Sequence, residues 1–163
     1  MLFKNLIQWK KIIIVIVFLF SSCAVTKTQN TYANLETRID YYTSDNTKKL
    51  DFPFSDATIV NNVIYVAGQV GNLPGNTKVV PGGIKEETIQ TMKNIERILL
   101  ALGSSMDKVF KCTCMLSDIS EWAEMSQEYN KFFAEDKRPS RSAFAGSGLA
   151  LGAKVEIECW AIR

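Results

Sequence analysis

The run Val63-Ile64-Tyr65-Val66-Ala67 is apolar at every position. A strand that is apolar on both faces has to be covered on both faces, and that requirement limits the folds open to this chain. From Arg38 to Arg163 the hydrophobic pattern switches between period two and period 3.6, which predicts a sheet carrying helices. Residues 39–43 and 57–60 read as strands, and Asn61-Asn62 predicts a hairpin into a strand over 63–69. Gly82-Gly83 then precede a helix of about five turns with Ile89, Met92, Ile95, Leu99 and Leu102 on one stripe, stopped by Gly103. Residues 109–116 alternate as a strand. Asp118 with Glu121 reads as a capping-box-like start for a second helix whose stripe, Trp122, Met125, Tyr129, Phe132 and Phe133, is expected in the core. Strands over 140–145 and 154–162 flank a loop at 146–152.

The order β-β-β-α-β-α-β-β describes an α+β domain, in which two helices supply one layer and cover one face of the sheet. The last strand sharpens the point. Val155, Ile157, Cys159 and Ala161 point one way, while Glu156, Glu158, Trp160 and Ile162 point the other. A face that mixes two carboxylates with Trp and Ile is suited to packing against a second copy of the chain, where a carboxylate would have little water around it.

The first thirty residues have a different organisation. Lys4, Lys10 and Lys11 precede an uninterrupted apolar run over 12–20, followed by Ser21, Ser22 and Cys23. This is signal-peptide architecture. The run would span about 14 Å as a helix, roughly half of a bilayer core. Phe20-Ser21-Ser22-Cys23 resembles the lipobox of bacterial lipoproteins, whose cysteine is lipid-modified and becomes the first mature residue; the alternative is an ordinary signal peptide or uncleaved anchor with an incidental cysteine. The expected organisation is a lipoprotein signal peptide over 1–22, a polar tether over 23–37 and a folded domain over 38–163. That places the domain on the periplasmic or extracytoplasmic side of a bacterial cell membrane, held there by a lipid on Cys23.

Charge and residue types then exclude whole classes of function. The chain has 19 Lys plus Arg against 17 Asp plus Glu, and three of the lysines lie before Ser21, so the remainder carries a net charge near −1. Nucleic-acid affinity rests on basic side chains neutralising phosphates, and no nucleic-acid partner is expected. The chain contains no histidine, which removes Ser-His-Asp and Cys-His catalysis and leaves carboxylates, Lys, Tyr or Cys for acid-base work. Cys112, Cys114 and Cys159 make a poor zinc set without histidine and read as small buried apolar residues; with Cys23 lipidated, an odd three remain, so at least one is unpaired within the chain. No metal is expected.

Four segments then occur in order: residues 64–71 (IYVAGQVG), 80–84 (VPGGI), Pro139-Ser140-Arg141-Ser142 and Val155-Glu156-Ile157-Glu158. Together they resemble the RidA/YjgF family of reactive-intermediate deaminases over about residues 39–163. The resemblance implies a chorismate-mutase-like subunit with a mixed sheet and two helices on one face, assembled as a homotrimer with clefts between subunits. It also implies hydrolytic deamination of 2-imino or enamine acids to 2-oxo acids and ammonia without metal or organic cofactor. The alternative is a non-catalytic trimer that binds a carboxylate ligand or a partner.

Arg141 matches the family's carboxylate-binding arginine, and its planar fork suits that task; by spacing alone it reads equally as an ion-pair partner for Glu156 or Glu158. Glu156 matches the glutamate that orients or activates water. Phe54 stands where a tyrosine is frequent, Ser126 where an asparagine is often found, and Ala143 where some members carry a cysteine, so a hydroxyl and an amide are missing from the expected substrate-binding set. Gly68 completes that set as a place where a ligand can approach the backbone, although strand-end turn chemistry explains a glycine as well.

Overall fold

The structure is a computed structural model and describes residues 37–163. Cys23, the expected signal peptide and all but the last residue of the expected tether lie outside the described residues. The domain contains β1 (Ile39–Tyr42), α1 (Asp45–Lys49), β2 (Ala57–Val60), β3 (Val63–Val70), α2 (Ile84–Ala101), β4 (Val109–Leu116), α3 (Trp122–Asn130), β5 (Ser140–Ala145) and β6 (Val155–Ile162). One sheet runs β1-β2-β3-β6-β4-β5. Every pairing is antiparallel except β4 with β5, which is parallel, so the sheet is mixed and the fold α+β.

Alternation along the strands decides what meets the helices. Val155, Ile157, Cys159 and Ala161 are fully buried, as are Ile64, Cys112, Cys114 and Leu116, and they pack with Met92, Ile95 and Leu99 of α2 and Met125 of α3. The opposite face of the sheet carries an aromatic row. Tyr65 and Trp160 lie edge to face at 5.1 Å and Phe110 meets Trp160 at 6.4 Å, with Trp160 and Ile162 left exposed.

Three expectations are corrected. The polar segment after β1 forms α1, which apolar periodicity could not reveal; Ser44 caps it by accepting from Thr47 N, and the Asp56 carboxylate accepts from Ser44 N at 2.6 Å and from Thr47 Oγ1 at 2.7 Å. Asp118 does not form a capping box with Glu121 but accepts from Ser120 N and caps the 3-10 turn Ile119–Glu121. The second helix ends at Asn130, so Phe132 and Phe133 follow it and are partly buried, while Trp122 at its first position is 44% exposed rather than in the core.

Cys112 and Cys159 face each other across β4 and β6 and are joined as a disulfide. Cys114 is a free, buried thiol, so the odd cysteine count resolves into one bond and one inert side chain. Burial pushes the Cys114 thiol up to about 11.

Candidate active site

Arg141 lies on the edge strand β5, opposite Cys112 of β4, and this register turns its side chain toward α3. Its guanidinium stacks over the rings of Tyr129 at 4.8 Å and Trp122 at 5.4 Å, an arrangement in which the ring quadrupoles favour the cation. Nη2 donates to Ser126 Oγ at 3.0 Å. The serine therefore performs a positioning task with a hydroxyl where the resemblance led us to look for an amide. Nη1 is buried and has no hydrogen-bond partner, and neither has the buried Tyr129 hydroxyl. A buried guanidinium nitrogen without an acceptor is costly unless something supplies one. The side chain is thus fixed through Nη2 and the two rings, while Nη1 is left buried without an acceptor. Ala143, two residues along β5, sits opposite Cys114 and packs against the core.

Glu156 is built into a different place. Between Val66 and Gln69 the β3–β6 register shifts, so Ala67 and Gly68 together oppose Glu158, which is a β-bulge. The bulge brings the Gly68 backbone against Glu156: a Cβ at Gly68 would stand 1.9 Å from Glu156 Oε1. Only a residue without a side chain leaves that space to the carboxylate. Burial, and then the nearby charge of Glu158, raise the Glu156 pKa above the ordinary carboxylate value. Glu156, Gly68 and Phe54 line one cleft of about 210 Å3, together with Leu50, Phe52 and Leu151.

Gly68→Ala is therefore expected to push the end of a flexible Glu156 side chain aside while leaving the fold intact. Turnover should fall by at least about tenfold with a melting temperature within a few degrees of the parent. A variant with parental kcat would show that the placement of the carboxylate against Gly68 has no catalytic consequence.

The expected site residues thus fall into two groups. Arg141, Ser126 and Ala143 belong to the corner between β5 and α3, and Glu156, Gly68 and Phe54 to the cleft beside β3 and β6. Arg141 and Glu156 are two strands apart and offset by three residues, a separation of roughly 14 Å between Cα atoms, with side chains on opposite faces. Among the described residues Arg141 pairs with no carboxylate, so the ion-pair reading with Glu156 or Glu158 does not hold within one copy. The stacking partners Trp122 and Tyr129 and the cleft residue Leu151 were not legible as site residues. The two rings repeat at helical spacing like any core stripe, and Leu151 carries no local signal at all.

A family model described as Endoribonuclease L-PSP matches residues 47–163. The chain belongs to the RidA/YjgF family. Among similar RidA/YjgF proteins, the bovine (Bos taurus) 2-iminobutanoate/2-iminopropanoate deaminase is 37% identical over 111 residues, covering 68% of this chain and 80% of the relative. The human (Homo sapiens) protein of the same name is 36% identical over the same length and coverage. Among solved structures, a Rid-family protein of unknown function from Yersinia pestis, YyfA, superposes with a TM-score of 0.71 at 30% identity, covering 77% of this chain and all of the other.

Proposed function

We propose that the chain hydrolyses reactive 2-imino acids and their enamine tautomers to 2-oxo acids and ammonia, at a site that Arg141 of one copy and Glu156 of another complete together. The observation that carries this reading is the Arg141 guanidinium, held by two rings and Ser126, with a buried Nη1 that has no acceptor. A substrate carboxylate supplies that acceptor through a charge-assisted hydrogen bond once the groups covering Nη1 move aside. The relatives named as deaminases of 2-imino acids support the same chemistry, and the aromatic face opposite the helices supports an assembly of copies, which we take to be a homotrimer.

The chemistry needs one acid-base group. Glu156 accepts a proton from water as the water oxygen bonds to C2 and the C=N double bond becomes single. Glu156 passes that proton to the nitrogen to give the carbinolamine, then accepts the hydroxyl proton as the C=O bond forms and delivers it to the nitrogen, so that the C–N bond breaks and ammonia and the 2-oxo acid leave. A carboxylate with a raised pKa is better matched to this two-way transfer near neutral pH than an ordinary glutamate. Ribonuclease chemistry is disfavoured by the absence of histidine and the net charge near −1 after residue 22.

The test generates imines in situ with an amino-acid oxidase and follows their loss against a trapping amine. Added protein should divert imine from the trap in proportion to its concentration. Unchanged trapping across several imino acids would leave the carboxylate-binding, non-catalytic trimer in its place.

We also place the domain outside the cytoplasm, tethered by a lipid on Cys23. The lysine-rich start, the apolar run and Ser21-Ser22 support this, as does a Cys112–Cys159 disulfide, which persists in oxidising compartments. Labelling cells with a tagged fatty acid should mark the parent and not Cys23→Ala; equal label on both would reject the anchor.

A further inference from the structure

The cleft beside Glu156 contains a cation that the proposed chemistry does not use, and it bears on which imino acid the protein takes, an inference that rests on the function proposed above. With C2 at Glu156 and the carboxylate on C2 held by Arg141, which lies outside this cleft, the substrate side chain is the part that enters it. We infer that this side chain ends in a second carboxylate, so that the preferred substrates are 2-imino dicarboxylic acids, and that Arg97 binds the second carboxylate together with Asn46.

Arg97 belongs to α2 and stands half-buried in the wall of the cleft. Its one hydrogen bond among the described residues runs from Nη1 to Asn94 Oδ1 at 3.2 Å, a neutral acceptor. Among the described residues it pairs with no carboxylate. A guanidinium presents five N–H groups in a planar fork, so most of this fork is left for another acceptor. Asn94 in turn is anchored from both sides. Its Nδ2 donates to Val70 O at 3.1 Å and Asn72 O at 2.8 Å, and its Oδ1 also accepts from Gln90 Nε2 at 3.0 Å. That network ties the cation to the end of β3, on the strand that carries Gly68.

Asn46, in the first turn of α1, lines the same cleft, and its side chain makes no hydrogen bond among the described residues. It borders the loop that follows β3, where a Cβ on Gly75 would stand 3.2 Å from Asn46 Oδ1. Asn72, whose carbonyl Asn94 holds, begins the same loop. A free fork and a free amide are donors that a carboxylate satisfies with charge-assisted bonds and that a hydrocarbon side chain leaves unpaired. The other carboxylate in the wall, Asp56, is 5% exposed and already accepts from Ser44 N and Thr47 Oγ1, so it is not presented to a cationic side chain. Leu50, Phe54 and Leu151 supply hydrocarbon for the methylenes that join the two ends of such a substrate.

The experiment assays the full chain with imines generated from aspartate and glutamate and, for comparison, from methionine and arginine, each against the trapping amine. The better dicarboxylic imine should exceed the methionine-derived one by at least about tenfold in kcat/KM, the change that one charge-assisted hydrogen bond produces. Arg97→Met, which keeps a long side chain and removes the charge, should bring that ratio close to one, and Arg97→Lys should retain part of it. The readout is a ratio within one variant, so a general loss of folding or turnover does not move it. A parental ratio near or below one, a preference for the arginine-derived imine, or a ratio that survives Arg97→Met overturns the inference and leaves the deaminase reading standing. If no imine is hydrolysed, calorimetry with 2-oxoglutarate and 4-methyl-2-oxopentanoate decides separately: tighter binding of the former, weakened by Arg97→Met, upholds the second carboxylate site without catalysis, and equal or absent binding overturns it.

Discussion

Glu156→Gln is expected to lower kcat by about 10²- to 10⁴-fold, the usual contribution of a positioned acid-base group, with a much smaller change in KM. Glutamine fills the same space beside Gly68 but cannot accept and return a proton. The pH dependence follows from the raised pKa, whose causes are burial first and the charge of Glu158 second. Activity requires the carboxylate form, so it should fall as pH drops through a pKa above the ordinary carboxylate value, and the residual activity of Glu156→Gln should lack that limb. Stability has the opposite sense. A carboxyl group that holds its proton more tightly in the folded state than in the unfolded chain favours folding at low pH, and this contribution is lost as pH rises through the folded-state pKa. Glu156→Gln should therefore fold at least as well as the parent at neutral pH. A variant that loses activity and unfolds there would show that the residue's role is structural.

Replacing Cys112 and Cys159 together by alanine is expected to lower the melting temperature by roughly 10–20 °C. The two cysteines are 47 residues apart in sequence, and closing a loop of that length restricts the unfolded chain by about 4 kcal/mol in the chain-entropy account. The bond joins β4 to β6, the pair of strands that carries the register between Glu156 and the β5 edge. Changing both residues avoids leaving a lone buried thiol. A melting temperature equal to the parent's, or free reactivity of both thiols in the parent protein denatured without reductant, would show that the bond does not form.

The strands, the hairpin at Asn61-Asn62 and the long helix were legible because burial is one-sided. In β6 each buried position alternates with an outward one, and the sequence pattern and the fold coincide residue by residue. The uncovered second face followed from counting helices against the run at Val63. What the pattern could not carry was anything set by polar bonding or by strand order. Helix α1 is held by Ser44, Thr47 and Asp56, none of which contributes to a hydrophobic period. Trp122 keeps helical spacing with Met125 and Tyr129, yet its place at the first turn of α3 puts its ring against Arg141 instead of in the core.

The site was legible by residue and not by arrangement. Arg141 and Glu156 were named from the segments they sit in, but their separation depends on β4 lying between β6 and β5, and their opposite faces on a three-residue offset in register along β4. That order is a long-range property of the sheet. Gly68 shows the same limit: its spacing is compatible with a simple strand-end glycine, and only the bulge reveals that Glu156 occupies the volume its side chain would need.

The separation of Arg141 from Glu156 is tested most directly by mixing two impaired variants. Arg141→Ala, which removes charge-assisted hydrogen bonds of about 1.5–3 kcal/mol each, should lose at least about tenfold in kcat/KM, and Glu156→Gln loses its proton transfers. When the two are unfolded, mixed in equal amounts and refolded together, random assembly into a ring leaves about one quarter of the interfaces with both residues intact. The account predicts that the mixture recovers close to a quarter of the parental activity, well above either variant refolded alone. A mixture no more active than its components, under conditions in which the refolded parent is active, would place both residues of each working site in a single copy and contradict it.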